Sequence, residues 1–420
     1  MKLGILGGSF NPVHHGHLFL ADTALTVLKL DRVVMIPAYR SPFKPGAEGM
    51  ESSANDRIAM LASAVIGDCR LAIDDCEIKR EGISYTVNTL EDIIARYLPE
   101  GKPFLIIGDD LADDFPKWHD CERILQLAEI VIARRLNSAP VKYPFPHKFI
   151  DNEVMNISSE TIRQKITERS GWKSLVPSGV RAIIEDKHLY GYSPSSPSAS
   201  PKASLGASLG ASPGDAYFNL ATREWSVSKN CTQAAIINIE TTARENLSTA
   251  RFLHSRNTAL IAQELCRRFD LDPAAGYLAG IAHDLCKQLD AKDIMKLAKS
   301  DHKVVTDLEK GKPSLLHGRA AAVLLKERFS IHNKDILEAV AFHTMGSENM
   351  GPLAKVIYIA DKVEVSRNID PALRKMCREE SLDRILFTVV KKTVSKLQSR
   401  ELDLSEDTLR LLDRMKERNI

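Results

Sequence analysis

Long apolar runs are missing from this chain of 420 residues. No stretch approaches the roughly 18 apolar residues that a membrane-spanning helix needs, and the opening "MKLGIL" has none of the regions of a secretory signal peptide. The seven cysteines are scattered and form no C-x-x-C pair, which suits reduced thiols better than a disulfide framework or a zinc knuckle. These absences predict a cytoplasmic protein that makes no contact with a membrane.

An excess of charge of one sign is missing as well. The chain has 57 Lys and Arg against 55 Asp and Glu, a net charge of +2, so its overall charge does not favour a nucleic-acid partner. The composition is that of an ordinary globular protein, with 44% hydrophobic and 27% charged residues. The length predicts roughly two or three domains, and the sequence leaves a homo-oligomer open.

A segment with almost nothing to bury divides the chain. Residues 193–213 read "SPSSPSASPKASLGASLGASP", a composition that is typical of a flexible tether. We therefore predict a linker over residues 192–225, between a first domain of residues 1–191 and a second domain of residues 226–420. Residues 214–245 have no clear pattern and fit either a helix or disorder.

Strand and helix patterns alternate in the first domain. The strand segments are "KLGILGG", "RVVMIPA", "RLAIDDCEI", "PFLIIGDD" and "EIVIARR", with helical patterns between them. This alternation predicts an α/β domain with a parallel sheet and helices on both faces, in which ligands bind beyond the carboxyl ends of the strands. Helical periodicity dominates the second domain, which predicts an all-α domain.

The stretch "GGSFNPVHHGH", residues 7–17, follows the first strand. Its glycines let backbone N–H groups approach a phosphate, and the helix that starts near His15 directs its positive end to the same place. His14 and His17 lie on one side of the first helical turn. One alternative is a metal site, but such a site needs a carboxylate or thiol at helical spacing from the histidines, and none is there. The other alternative is a histidine-rich helix start that has no functional role. We favour a phosphate-binding corner.

Further segments extend a resemblance that starts at this corner. They are "PAYRSPFK", "SYTVNTLEDI", "FLIIGDDLADDFPKWH", "EIVIARR", "NISSETIRQKI" and "VRAIIEDKHLYG", in this order. With the H-x-G-H motif, residues 1–191 resemble bacterial nicotinate-nucleotide adenylyltransferases. The resemblance implies a Rossmann-like nucleotidyltransferase fold, with transfer of AMP from ATP, bound with Mg²⁺, to nicotinate mononucleotide. The products would be deamido-NAD and pyrophosphate.

The resemblance also implies roles for individual residues. His14, His17, Lys44 and Arg163 would be catalytic, by stabilising charge on the reacting phosphates. Tyr85, Thr86 and Trp118 would stack the pyridine ring and read its carboxylate, although Trp118 alone could be a core aromatic. The remaining ATP and substrate contacts would be Gly8, Ser9, Phe10, Gly108, Asp110, Arg134, Ile157, Ser158 and Ser159.

Two positions depart from the family pattern: Phe43 stands where a histidine is usual, and Glu160 where a threonine is common. An altered affinity for ATP or for the metal ion is therefore left open. Phosphopantetheine and nicotinamide mononucleotide remain alternative acceptors.

Six polar residues of the second domain lie on or at the ends of apolar helices. One buried histidine is usually a hydrogen-bonded core residue, but burying six such groups unpaired would be costly, and a shared metal centre accounts for all of them. Imidazole and carboxylate ligands suit Fe, Mn, Co or Mg more than a structural zinc. The six candidate ligands are His254, His283, Asp284, His317, His343 and Asp361.

This order of ligands resembles the HD-domain metal phosphohydrolases. The pieces "HSRNTALIAQELCRRFDLDPAAGYLAGIAHDLCKQL", "LLHGRAAAVLL" and "HTMGSENMGPLAKVIYIADKVEVSR" resemble bacterial symmetrical diadenosine tetraphosphate hydrolases more closely. The resemblance implies hydrolysis of diadenosine tetraphosphate to two ADP with two metal ions, iron being favoured and manganese or cobalt the alternatives. Two adjacent ions can activate water and stabilise an in-line displacement at phosphorus.

By that resemblance, one metal would be held by His254, His283, Asp284 and Asp361, and the second by Asp284, His317 and His343, so that Asp284 bridges them as a catalytic residue. Lys287, Lys355 and Arg367 are candidates to hold the polyphosphate, or are plain surface cations. Lys362 and Val365 depart from the usual family residues beside the last ligand. Another nucleotide substrate, or a nucleotide-sensing or interaction module, remains an alternative.

Overall fold

The computed structural model describes residues 1–40, 42, 52–134, 142–150, 157–194, 232–367 and 369–417. It divides the chain into two compact units, Met1–Glu224 and Trp225–Ile420. Most of the predicted linker lies outside the described residues, so its boundaries at 192 and 225 stay a prediction. No helix in the described part of the chain is long and apolar enough to cross a membrane.

A six-stranded sheet forms the centre of the first unit. The strands are β1 (Leu3–Gly8), β2 (Arg32–Pro37), β3 (Leu71–Ile73), β4 (Phe104–Gly108), β5 (Glu129–Ala133) and β6 (Lys148–Ile150). Their order is β3-β2-β1-β4-β5-β6, and every neighbouring pair is parallel. All six residues of β2 are buried, as expected for a strand covered on both faces.

The strand order reverses between β1 and β4. Because crossovers between parallel strands are right-handed, chains that leave this point in opposite directions place their helices on opposite faces of the sheet. A crevice therefore opens at the carboxyl ends of β1 and β4, where Gly8 and Gly108 end their strands. The prediction of a Rossmann-like α/β fold is confirmed.

Eight α-helices of this unit are described: α1 (His15–Val27), α2 (Ala54–Ala64), α3 (Cys76–Arg80), α4 (Thr86–Tyr97), α5 (Asp109–Ala112), α6 (Cys121–Leu127), α7 (Ser159–Thr167) and α8 (Ser178–Asp186). Two predicted strand segments are shorter than expected. "RLAIDDCEI" yields only β3, because the Asp74 carboxylate accepts the backbone N–H of Cys76 at 3.0 Å, a local turn that begins α3. "PFLIIGDD" ends at Gly108, since Asp109 opens α5.

Helices account for the second unit, which confirms the prediction of an all-α domain. In the described residues they are α9 (Gln233–Asn246), α10 (Thr249–Arg268), α11 (Pro273–Ala282), α12 (Ala291–Lys299), α13 (Asp307–Gly311), α14 (His317–Arg328), α15 (Lys334–Phe342), α16 (Pro352–Val363), α17 (Pro371–Glu379), α18 (Leu382–Gln398) and α19 (Glu406–Glu417). The ambiguous segment before residue 245 is thus helical from Gln233.

Small residues allow α10 and α11 to approach closely. A Cβ at Gly280 on α11 would lie 2.5 Å from the Cα of Ala259 on α10, so no larger residue fits there without movement of the backbone. This contact brings His254, within α10, and His283, directly after α11, to a ring-centroid distance of 5.3 Å.

Candidate active sites

The turn after β1 brings two imidazoles together. Phe10, with φ of 47° and no exposed surface, packs its ring against Gly8, 3.3 Å from where a Cβ of that residue would be. His14, only 1% exposed, immediately precedes α1, and its ring centroid is 3.7 Å from that of His17. The backbone N–H of His14 also donates to Nδ1 of His17 at 3.3 Å. The pair thus lies at the positive end of α1 and the carboxyl end of β1.

The N-terminus of α7 is fixed against the same turn. Ser159 Oγ donates to the carbonyl of Pro12 at 2.9 Å, and Arg163 Nη1 donates to the carbonyl of Asn11 at 2.8 Å. Ser158 caps the helix, since its Oγ accepts the backbone N–H three residues later at 3.0 Å. A second helix N-terminus therefore joins the histidine pair, and both favour an anionic ligand.

Other predicted nucleotide contacts lie at the ends of the neighbouring strands. Gly108 ends β4, the exposed Asp110 is in the helix that follows, and Arg134 comes directly after β5. Ile157 precedes α7, and its carbonyl oxygen lies 3.8 Å from where a Cβ at Gly16 would be. These residues share the carboxyl edge of the sheet with the histidine pair.

The predicted pyridine pocket is assembled from two segments. Tyr85 precedes α4 and Thr86 is its first residue; Trp118 follows a 3₁₀ turn and packs on Phe115 with ring centroids 5.3 Å apart. The ring of His119 lies 4.3 Å from that of Tyr85, which brings the two segments together. Trp118 is half-buried. His119 is a residue that the sequence alone did not indicate.

Three predicted features of this site have different outcomes. Phe43 and Lys44 lie outside the described residues. Glu160, in the first turn of α7, is exposed, so solvent screens its charge from an anion at the helix N-terminus.

The six candidate ligands of the second unit come from five places in the fold. His254 lies within α10; His283 and Asp284 directly follow α11; His317 begins α14; His343 follows α15; and Asp361 is in the last turn of α16. All are buried except His254, which is half-buried. Five of them therefore stand at helix ends that converge on one point.

Two groups of ligand atoms share Asp284. His254, His283 and Asp284 form one group, and Asp284, His317 and His343 the other, with the ligand atoms of each within 4.8 Å of one another. His317 Nε2 lies 3.0 Å from Oδ1 of Asp284, and His343 Nε2 lies 3.7 Å from the same oxygen.

Asp361 adds a carboxylate beside the first group, and together these donors fit a divalent metal ion. The buried Nε2 of His283 has no hydrogen-bond partner among the described residues, yet lies 3.8 Å from an oxygen of Asp284 and 3.8 Å from one of Asp361. His254 Nε2 lies 3.1 Å from the same Asp361 oxygen. Imidazole nitrogens and carboxylate oxygens thus converge on one point. Together they are a set of donor atoms that suits a transition metal.

Similarity to known proteins divides between the two units. The family described as cytidylyltransferase-like matches residues 5–165, and the family described as HD domain matches residues 251–366. A probable nicotinate-nucleotide adenylyltransferase of Borreliella burgdorferi is 40% identical over 190 residues, covering 45% of this chain and 97% of that protein. The chain belongs to the nicotinate-nucleotide adenylyltransferase family. A member from Synechococcus sp. (strain JA-3-3Ab) is 37% identical over 198 residues, covering 45% of this chain and 94% of that protein.

Two solved structures are similar to parts of this chain. A predicted HD superfamily hydrolase involved in NAD metabolism from Clostridium acetobutylicum is 29% identical, with a TM-score of 0.41, over 43% of this chain and 96% of the other. The nicotinic acid mononucleotide adenylyltransferase of Plasmodium falciparum complexed with NaAD is 18% identical, with a TM-score of 0.39, over 46% of this chain and 98% of the other. By the family matches alone, the cytidylyltransferase-like region of residues 5–165 is followed along this chain by an HD domain over residues 251–366.

Burial and charge set the protonation of the HD-domain ligands. Burial raises the pKa of Asp284, but His283 and His317 outweigh it and hold that pKa well below its usual range. Burial opposes the charged form of His254, but hydrogen bonds to Asp361 and Glu364 raise its pKa to about 9. The carboxylates are thus anionic, and His254 must release a proton from Nε2 before this atom can bind a metal.

A cleft of about 590 Å³ opens above the two groups, and four cationic residues line it. Lys287 Nζ lies 3.1 Å from Nε2 of His317, and Arg367 Nη2 lies 2.7 Å from Oδ1 of Asp361. Of the other two cations, the sequence analysis missed Arg251 and named Lys362 only as a departure from the family pattern. Arg251 Nη1 lies 3.7 Å from Oδ2 of Asp284, and Lys362 Nζ lies 2.8 Å from Oδ2 of Asp361. Arg251 is three residues before His254, a spacing that places both on one helix face.

The prediction that Lys355 helps to hold the polyphosphate does not fit the structure. Lys355 does not line this cleft; it lies in a separate pocket and pairs with Asp383 at 2.6 Å. Lys355 and Asp361 are six residues apart on α16, which turns their side chains by roughly 120° from each other. The cation of this helix that does reach the metal ligands is Lys362.

Proposed function

We propose that the first unit transfers AMP from ATP to nicotinate mononucleotide, giving deamido-NAD and pyrophosphate. The observation that carries this proposal is the close pair of imidazoles, His14 and His17, at the N-termini of α1 and α7 and at the reversal of strand order. The names of the 35–40% identical relatives support the same reaction. Nicotinate mononucleotide supplies a phosphate oxygen as the nucleophile, so no protein nucleophile is needed.

In this reaction the acceptor oxygen attacks the α-phosphorus of ATP, and the bond from that phosphorus to the pyrophosphate oxygen breaks. Catalysis then consists of positioning and charge stabilisation. His14 and His17 donate hydrogen bonds to the phosphates as charge builds, while Arg163 and the N-terminal amides of α7, with Ser158 and Ser159, hold the leaving pyrophosphate. Lys44 adds a cation in this proposal.

Mg²⁺ enters as part of the ATP complex. In this proposal the triphosphate supplies ligands for this ion, which would neutralise phosphate charge when bound.

Acceptor preference tests the proposal for the first unit. The full-length chain is supplied with Mg-ATP and nicotinate mononucleotide, nicotinamide mononucleotide or phosphopantetheine, and dinucleotide and pyrophosphate are quantified. We expect the highest kcat/KM with the acid, because Tyr85, Thr86 and Trp118 would read the pyridine carboxylate. His17→Asn is expected to lower kcat by roughly 100-fold or more. Preference for another acceptor would overturn the substrate assignment.

For the HD domain, we propose symmetrical hydrolysis of diadenosine tetraphosphate to two ADP. Two ligand groups that share Asp284 at the base of a cationic cleft carry this proposal. His254, His283, Asp284 and Asp361 would hold one ion, and Asp284, His317 and His343 would hold the other. When bound, two such ions would supply activation of water and stabilisation of charge at phosphorus, with iron favoured over manganese or cobalt.

The cations of the cleft orient the polyphosphate in this proposal. Arg251, Lys287, Lys362 and Arg367 surround the two carboxylates, and a chain of four phosphates offers them matching negative charge. Water attacks one of the two central phosphorus atoms, the bridging P–O bond breaks, and each half leaves as ADP.

Metal content and a nucleotide panel test this second proposal. The full-length chain is analysed for bound Fe, Mn and Co, then incubated with diadenosine tetraphosphate, guanosine polyphosphates and mononucleotides. We expect two metal ions per chain and ADP as the sole product from diadenosine tetraphosphate, both reduced in Asp284→Asn. Hydrolysis of a different nucleotide would replace the substrate, and an absence of both metal and hydrolysis would favour a sensing or interaction module.

A further inference from the structure

The four candidate histidine ligands are not supported in the same way. Three of them have Nδ1 within hydrogen-bond distance of the backbone carbonyl three residues earlier: His283 at 2.7 Å, His317 at 2.7 Å and His343 at 2.8 Å. In His254, Nδ1 instead lies 3.2 Å from Oε1 of Glu364, a residue 110 positions later in the chain. One of the four rings is therefore held by a side chain.

The position of each histidine in its helix explains the difference. The three rings with backbone partners stand at helix boundaries, where the local turn leaves a carbonyl available. His254 is the sixth residue of the 20-residue α10, so the carbonyls around it accept hydrogen bonds within the helix. A ring in mid-helix needs a side-chain acceptor if its Nδ1 is to be held, and Glu364 supplies it.

Glu364 is itself held in place. It has no exposed surface and leaves α16 with extended backbone angles. Its carboxylate accepts the backbone N–H of Ser366 at 2.7 Å and the Ser366 hydroxyl at 2.5 Å. Because an ionised carboxylate only accepts hydrogen bonds, it directs Nδ1 of His254 to be the protonated nitrogen and leaves Nε2 towards Asp361, 3.1 Å away.

We infer that Glu364 is a positioning residue for His254 and sets the metal affinity of the position that contains His254 and Asp361. It does not touch the group of Asp284, His317 and His343, which keeps its backbone supports. Outer carboxylates of this kind typically change metal affinity by about 10- to 100-fold. The inference rests on the proposed metal sites of the HD domain. It predicts that the metal affinity of only one of the two sites depends on Glu364.

Metal titration of the full-length chain tests this inference. Chelator-treated wild type, Glu364→Ala and Glu364→Gln are titrated with Co²⁺, and stoichiometry and the visible absorption bands are recorded. Wild type is expected to bind two equivalents. In Glu364→Ala one equivalent binds as in wild type and the other about 10- to 100-fold more weakly, with altered absorption for that ion alone. The near-isosteric Glu364→Gln, whose carbonyl still accepts a hydrogen bond, is expected to be intermediate.

Two further variants separate the possible failures. Glu327→Gln, an exposed position on α14, is the matched control and should titrate as wild type, while His254→Ala should lose the same equivalent that Glu364→Ala weakens. Wild-type titration by both Glu364 variants, with His254→Ala losing one equivalent, would overturn the role of Glu364 only. Fewer than two equivalents in wild type, or no loss in His254→Ala, would overturn the proposed metal sites themselves.

Discussion

Gly16 lies close to the ring of His14 at the proposed adenylyl-transfer site. It is the second residue of α1, and a Cβ there would lie 3.0 Å from Nδ1 of His14, so the ring would have to move by a few tenths of an ångström. Gly16→Ala stabilises α1 by up to about 1 kcal/mol, because alanine is a better helix former than glycine. It also displaces the ring of His14, whose position the proposed reaction requires. We expect kcat/KM with ATP and nicotinate mononucleotide to fall by roughly 10- to 100-fold, without a lower melting temperature.

Gly311→Ala is the matched control for this change. Gly311 is the exposed last residue of α13, and a Cβ there would meet no atom within 4 Å, so both its melting temperature and its adenylyl transfer should stay at wild-type values. Wild-type kcat/KM in Gly16→Ala would mean that His14 does not need its present position.

Single residues were predictable where a polar side chain interrupts an apolar helix pattern. That reasoning led to the six ligand candidates; the structure brings five of them together in two groups, and Asp361 lies beside the first, 3.1 Å from Nε2 of His254. It missed Glu364, because one acidic residue after a helix has the same pattern as a surface residue. The signal that was available is indirect: His254 lies in mid-helix, where no backbone carbonyl is available to its ring, so a distant side chain had to be sought.

Helix α17 fixes the segment that carries Glu364 and Arg367. From this helix, Arg374 Nη2 donates to the carbonyls of Glu364 at 3.2 Å, Val365 at 3.3 Å and Arg367 at 2.8 Å. Arg374→Met keeps much of the side-chain volume but leaves these three carbonyls, of which those of Glu364 and Val365 are buried, without that donor. We expect a loss of about 2–4 kcal/mol in the free energy of unfolding, and a smaller thermal stabilisation by added Mn²⁺.

The next residue on the same helix provides the comparison for Arg374. Lys375 is 68% exposed in its side chain and pairs with Glu379 at 3.7 Å, so Lys375→Met should change the free energy of unfolding by at most about 0.5 kcal/mol. Chemical denaturation measures both variants. Equal stability of the Arg374 and Lys375 variants would show that α17 does not fix the segment after α16.

Strands and helices were predictable to different degrees. Regular alternation of β1, α1 and β2 predicts a parallel sheet because adjacent parallel strands require a crossover. The three residues of β6, "KFI", are too few for any period, so that strand depends on pairing with β5 and was not predicted. Strand order was not predictable either, since apolar strands buried on both faces carry no pattern that selects a neighbour.

Each candidate site is assembled within one unit of the chain. The adenylyl-transfer residues that the structure describes lie between Gly8 and Arg163, and the HD-domain site lies between Arg251 and Arg367. The composition of residues 193–213 predicts the division between them, whereas the sequence offers no residue that would serve both sites. Two reactions that share no catalytic group are expected to respond independently to substitution.

Independence of the two sites is testable in the full-length chain with His17→Asn, Asp284→Asn and the double variant. Effects at separate sites add to within about 0.3–0.5 kcal/mol, which is about a twofold change in rate. We therefore expect Asp284→Asn to remove hydrolysis of diadenosine tetraphosphate while adenylyl transfer stays within about twofold of wild type, and His17→Asn to do the reverse. The double variant should lose both activities by the same factors. A larger cross-effect of either substitution, measured with Mg-ATP and metal restored to saturation, would show that the two sites are coupled.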